Sequence, residues 1–289
     1  MAEVTTTTAA VFIPELWSEA ILDYAERDFR LVNQVTDLSS SVPNGDILHI
    51  PKVSEETAAT LSSGSAVSYG ANTDGEIQLS VNQHVYEAKR IGDLVRVQSN
   101  PDLFSMYARS MGYAIAKKIE NYIAVDVLQS ATGNDVTLAA DNTATTALIR
   151  SGLQKLLDAG HSYTDGDTFM YASPAFFSSL LSLQDFTDAS RRGDGANPNA
   201  SGQLGSVYGI PVFVSTDFDD DGGTGDESAC IFKRSGVYYA NQLSPTLRVQ
   251  ESYDIDYLAS SIVVDSLFGA ALSHATSSTA LPVVNFNNP

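Results

Sequence analysis

The run Asp217-Phe218-Asp219-Asp220-Asp221-Gly222 has the spacing of a cation-binding loop. Acids at its first, third and fifth positions (Asp217, Asp219 and Asp221) aim oxygens at one hard cation, and glycine at the sixth allows a sharp turn, as in the opening of a calcium loop. The twelfth position is Ser228 where such a loop uses a bidentate Glu; Glu227 stands one residue early. The flanking sequence lacks the periodicity of EF-hand helices. Two readings stay open: calcium held by Asp217, Asp219 and Asp221, or a solvated acidic surface loop. No other cofactor is expected.

The remaining reactive side chains form no motif. His49, His84, His161 and His274 are scattered, without an HExxH pair. No Walker A run exists, and no GxGxxG follows a strand pattern. In Gly205-Ser206-Val207-Tyr208-Gly209 the serine stands in the wrong place for a nucleophile elbow. Cys230 lies in an apolar run with no cation beside it, the setting of a small core residue and not of a reactive thiolate. Arg191-Arg192 reads as a solvated loop pair. Catalysis is not expected.

The elements that carry these residues can be read from periodicity. Pro14 and Glu15 open a helix expected over 14–32, with Trp17, Ala20, Ile21 and Tyr24 at helical spacing and acid-first pairs Asp23–Arg27 and Glu26–Arg30. After the turn signal Pro43-Asn44-Gly45 the period becomes that of strands. Residues 46–97 read as a long two-stranded excursion with a polar tip over 54–75, too poor in large apolar groups to offset its own ordering. An isolated hairpin is marginal in water, so this one needs a neighbour. Asn100-Pro101 then starts a helix whose apolar positions Leu103, Tyr107, Met111, Ile115, Ile119 and Ile123 run to about residue 128. At 1.5 Å per residue it spans about 42 Å.

Further on, Ile149, Leu153, Leu156 and Leu157 mark a helix ending at Gly160, and 168–172 a short strand. Ser173-Pro174 opens another helix, and 184–205 is a polar loop. Strands are expected over 207–215 (broken at Gly209-Ile210-Pro211), over 229–232, and at Val237-Tyr238-Tyr239. Others follow through alternating Leu247, Val249, Tyr253, Ile255 and Tyr257, over 262–272, and over 281–286. Helices and strands in this order make an α+β fold.

Composition narrows the function further. With 35 acidic and 16 basic residues in 289, the net charge is −19, which disfavours unspecific binding to nucleic acid. A 43% hydrophobic share is that of an ordinary globular chain, with a radius of gyration of about 19 Å if it folds as one unit. One cysteine excludes an internal disulfide framework. No secretion signal and no membrane span are expected.

Several stretches resemble, in order, the major capsid (coat) proteins of tailed bacteriophages, which share the Hong Kong phage-type capsid fold. They are Phe12-Ile13-Pro14-Glu15-Leu16-Trp17-Ser18, Gly45-Asp46-Ile47-Leu48-His49-Ile50-Pro51-Lys52, Ala116-Lys117-Lys118-Ile119-Glu120, Tyr171-Ala172-Ser173-Pro174, Gly209-Ile210-Pro211-Val212 and Val263-Val264-Asp265-Ser266-Leu267-Phe268-Gly269-Ala270. The resemblance implies an N-terminal arm (1–45), an extended hairpin loop (46–97) and a peripheral domain in two parts (98–142, with the spine helix, and 243–289) around an axial domain (143–242). It also implies copies packed as pentamers and hexamers into an icosahedral head, assembled in the host cytoplasm around double-stranded DNA that it does not bind specifically. Scaffolding, portal and decoration proteins are the implied partners, and no membrane. Trp17, Tyr69, Lys52 and Lys89 are the implied contacts between subunits. Some relatives crosslink a loop lysine to a neighbour's asparagine, but no lysine lies between Ser54 and Lys89. Two rival readings are the shell of a bacterial nanocompartment, which shares the fold, and a calcium-bound surface or adhesion protein using the Asp217 loop.

Overall fold

The computed structural model describes residues 30–52, 58–64, 66–67, 69, 75–93, 103–139, 143–183, 205–218, 227–243, 248–275 and 277–287. In chain order its elements are β1 (Thr36–Asp37), β2 (Ile47–Lys52), β3 (Gly75–Ser80), β4 (Gln83–Gly92), helix α1 (Leu103–Asn121) with a π-helical continuation (Tyr122–Leu128) and β5 (Val136–Thr137). Then come α2 (Thr146–Asp158), β6 (Thr168–Ala172), α3 (Pro174–Ser182), β7 (Ser206–Val207), β8 (Ile210–Val214), β9 (Glu227–Lys233), β10 (Val237–Asn241), β11 (Arg248–Asp254), β12 (Ala259–Leu272) and β13 (Val283–Asn287). Of the helix expected over 14–32, the part before Arg30 lies outside the described residues. Leu31–Gln34 is a 3-10 turn.

The long strand β12 organises a five-stranded sheet. β4 runs antiparallel along one flank, from Gln83 opposite Phe268 to Gly92 opposite Ala259. Along the other flank β10 and β11 follow one another, with β1 parallel outside β10. The sequence alone puts Gln83–Gly92 in the hairpin; the structure gives it to this sheet instead. Only β2 and β3 form the separate two-stranded unit, paired from Ile47–Ser80 to Lys52–Gly75. Alternation over 77–97 fits either partner equally well, and ten paired residues on β12 decide between them.

The second sheet has the order β5-β13-β9-β6-β8-β7. Its central strands are covered on both faces. In β6, Phe169 and Tyr171 enter the core under α1, while Met170 and Ala172 enter the core under α2 and α3; in β9, Cys230 and Phe232 divide from Ala229 and Ile231 in the same way. That is the period-2 alternation of a strand between two apolar layers. Local signals set the helix and turn boundaries. Ser173 Oγ accepts from the Phe176 N–H and Pro174 stands in the first turn of α3. The break at 208–209 is a two-residue hairpin turn between β7 and β8, with Tyr208 and Gly209 both at positive φ.

The spine keeps its apolar stripe, Met111, Ile115, Ile119 and Ile123, but it is not a regular α-helix to its end. Over Tyr122–Leu128 it widens to π geometry and buries Ile123, Ala124, Val127 and Leu128. Here it sits between the two sheets: Tyr122 stacks edge-on with Phe268 of β12, and Asn285 of β13 donates to the carbonyls of Leu128 and Ala131. Six apolar side chains expected inside are outside. Tyr107 and Leu157 are exposed, and so are the alternating residues of β11 and the turn after it. Ile255 and Tyr257 belong to that turn and not to a strand.

Candidate functional site

Among the described residues the reactive side chains do not converge on one centre. Asp217 is buried and accepts from Ser215 Oγ at 3.3 Å, so the first acid of the acidic run faces inward; Asp219 and Asp221 lie outside the described residues. Among the described residues no three His, Cys, Asp or Glu side chains are grouped closely enough to hold a metal. The four histidines have different hydrogen-bond partners, His49 on Glu76, His84 on Asp265, His161 on the Ala280 carbonyl and His274 on Ser273, and the rings of His161 and His274 meet edge-on at 6.2 Å. Burial, helped by the charge of Lys52 and the neighbouring His161, pushes His274 below its ordinary value. Cys230 is a fully buried core residue of β9 that forms no disulfide.

What the fold builds is a set of surfaces. The β2–β3 hairpin is anchored at its root, and Glu76, Ile77 and Gln78 of β3 line a cavity with Tyr122 and Asp126 of the π-helical turn. At the root Leu79 and Val81 close a small core with Val42 and Ala240, flanked by Leu38, Leu48, Tyr238, Leu267 and Ala271. The backbone of Ser80 and Val81 crosses directly over Gly269 of β12. A Cβ at Gly269 would stand 2.0 Å from the Ser80 carbonyl oxygen and 2.9 Å from Val81 Cα. Glycine inside a strand often marks such a close backbone approach. Beyond the strands, every described residue between 58 and 69 is exposed, including Leu61 and Val67, and Tyr69 reaches 95% exposure.

The sheet face that carries this root continues uncovered. Leu267, Val263 and Ser261 of β12 share it with Tyr86 and Ala88 of β4 and with Arg248 and Gln250 of β11, because directly paired antiparallel residues point to the same side. At its centre Asp265 is 3% exposed. Its two oxygens accept the Arg248 fork, and His84 Nε2 lies 3.0 Å away. Arg248 above all, and His84 after it, hold the Asp265 carboxyl below the usual carboxylate range. A second uncovered patch lies on the edge strand and the turn beyond it, with Val249, Tyr253, Ile255, Tyr257 and Leu258 all exposed. Lys52 ends β2, exposed. Lys89 belongs to β4, paired with Glu87 at 2.9 Å, so the two lysines sit on different sheets. Trp17 lies outside the described residues.

One residue with a positional role is missed by sequence reasoning. Glu120 of α1 is 3% exposed, and Oε1 accepts the backbone N–H groups of Leu31 at 2.7 Å and Arg30 at 3.0 Å. It therefore fixes where the N-terminal segment joins the body. The available signal was a carboxylate directly after Ile119 and three residues before Ile123, inside the apolar stripe.

A family model described as phage capsid protein matches residues 86–276. No curated protein matches the chain. Solved structures match over nearly its whole length. A chain of Mycobacterium phage Che8 is 25% identical with a TM-score of 0.78, covering 96% of this chain and 97% of that one. The capsid structure of the cyanophage P-SCSP1u is 14% identical with a TM-score of 0.79, covering 98% and 94%. The capsid of a native GTA particle is 12% identical with a TM-score of 0.75, covering 100% and 99%. Among the described residues no helix is long and apolar enough to cross a membrane.

Proposed function

Because this chain belongs to the phage capsid protein family, its role is structural, as a major capsid protein of a phage head, and we propose how its copies build that shell. They associate as pentamers and hexamers. In each ring the β2–β3 hairpin of one copy lies on the open β4–β12–β11 face of the next, beside its root and over Tyr86 and Val263. The observation that carries this reading is the hairpin itself: a two-stranded unit with Leu61, Val67 and Tyr69 in water along its far half. A free hairpin is marginal, and apolar surface left exposed is covered in the assembled state. Burying a leucine or tyrosine of this kind contributes about 1.5–3 kcal/mol, repeated at every contact of a closed ring.

The exposed patch of Val249, Tyr253, Ile255, Tyr257 and Leu258 is a second surface for contact between copies. Lys52, Lys89, Tyr69 and Trp17 fall to the same contacts. A net charge of −19 suits a wall around packaged DNA, since repulsion keeps a polyanion from adhering. Scaffolding, portal and decoration proteins complete the head, which assembles in the host cytoplasm before it becomes part of the virion.

Replacing residues 53–74 by a short turn between Lys52 and Gly75 tests the reading. The subunit should fold with an unchanged circular dichroism spectrum and fail to form rings or shells. Normal particles from the shortened chain would refute it.

A further inference from the structure

Strand β11 has β12 on one side and, among the described residues, no strand on the other. Such an edge presents a row of N–H and C=O groups, and natural sheets blunt it with proline, a bulge, a lysine or a very short strand. β11 has none of these. Arg248–Asp254 follows β12 over all seven residues without a shift of register, and every residue up to Tyr253 is exposed. Its only mid-strand charge is Glu251.

The strand is also its own complement. Turned antiparallel about Glu251, a second β11 sets Arg248 opposite Asp254, Val249 opposite Tyr253 and Gln250 opposite Ser252, and the other half repeats these pairs in reverse. Opposite charges, an aliphatic–aromatic pair and two polar residues are all cross-strand partners that stabilise a ladder. Arg248, held by Asp265, and Asp254, 3.3 Å from Arg90, lie on the same open face, so the pairing joins the ion pairs of two copies into one row. Val249 and Tyr253 meet on the opposite face. Only at the centre do like charges face each other, one Glu251 from each copy.

We infer that β11 is a pairing edge for β11 of a second copy, the two joined antiparallel about a two-fold axis at Glu251 into one continuous sheet. This rests on the reading of the chain as a shell protein built of rings, and it names what the edge contacts. Adjacent copies in a pentamer or hexamer are not related by a half turn, so a two-fold contact joins two rings instead of closing one. The hairpin then acts within a ring and β11 between rings. The facing carboxylates keep each contact weak, and many contacts acting together make it lasting.

The test uses the full chain as unassembled subunits, so the absence of shells does not bear on it. Under copper phenanthroline, Glu251→Cys should give a disulfide-linked dimer, because directly paired Cα atoms stand about 4.5–5.5 Å apart, within reach of the bond. Gln250→Cys and Ser252→Cys should each remain uncrosslinked alone and should link when mixed, since each faces the other and not itself. Cys230, fully buried, does not compete. In sedimentation, Glu251→Gln should tighten self-association roughly two- to fivefold by removing the like charges. Absence of the disulfide at position 251 would overturn the inference. So would Gln250→Cys linking to itself as readily as to Ser252→Cys, or Glu251→Gln associating no better than the native chain.

Discussion

Replacing Gly269 by alanine should lift the hairpin from its seat. The added methyl would stand 2.0 Å from the Ser80 carbonyl oxygen and 2.8 Å from its carbon, and both are backbone atoms that no rotamer change can move. Restoring a normal contact of about 3.5 Å requires the root to rise by more than 1 Å, which already forfeits a quarter or more of each close contact beneath it. Those contacts are the burial of Leu79 and Val81 against Ala240 and Val42. Overpacking of this kind costs about 1–3 kcal/mol, and with backbone against backbone we expect the upper half of that range. At roughly 2–4 °C per kcal/mol for a chain of this size, the subunit should melt about 4–12 °C lower. The assay is calorimetry of unassembled subunits, with hydrogen exchange of β2 and β3 alongside. A Gly269→Ala subunit that melts within 1 °C of the native one, with β2 and β3 equally protected, would refute the reasoning.

Other perturbations have definite directions. Glu120→Ala leaves the N–H groups of Arg30 and Leu31 without their acceptor and should cost about 1–3 kcal/mol for each, whereas Glu120→Gln keeps an acceptor and should lose less than half as much; equal melting of the two variants would count against the anchor. Asp265 has a lowered carboxyl value in the folded chain, so below its ordinary value of 3.8 the unfolded chain binds the extra proton first, and stability present above that pH is lost as pH falls toward the folded value. Arg248→Met should flatten this acid limb of a melting-temperature profile. His274, also lowered, has the same sign in a higher window: stability is full above 6.5 and falls with pH below it, and His274→Gln should remove that slope. Because Asp217 faces inward onto Ser215, chelation by EDTA should change neither melting nor particle integrity. A rise in melting temperature on adding millimolar calcium would favour the ligand reading of Asp217, Asp219 and Asp221.

Local physics made most elements legible before any coordinates. Ser173-Pro174 announced a capped helix, Gly160 a helix end, and the alternation through 168–172 and 229–232 two strands, because each of these signals lies within a few residues of what it controls. What stayed hidden depends on residues far away in sequence. The partner of Gln83–Gly92 is a strand more than 160 residues later, and nothing in an alternating run names its partner. Gly269 reads as a gap in an apolar strand, but only the fold shows that Ser80 passes over it. The π-helical turns at Tyr122–Leu128 lie between two sheets distant in sequence, a setting that no helical propensity records. Likewise, the pattern Val249, Tyr253, Ile255, Tyr257 promised a buried face. Within one subunit the patch is exposed, which is expected if another copy covers it.

Electron cryomicroscopy of the purified, assembled full-length chain tests most directly whether its copies complete one another. We expect closed icosahedral particles in which density for each β2–β3 hairpin lies over Tyr86 and Val263 of the adjacent copy. A solitary subunit at every concentration, or particles whose hairpins fold back on their own sheet, would contradict it.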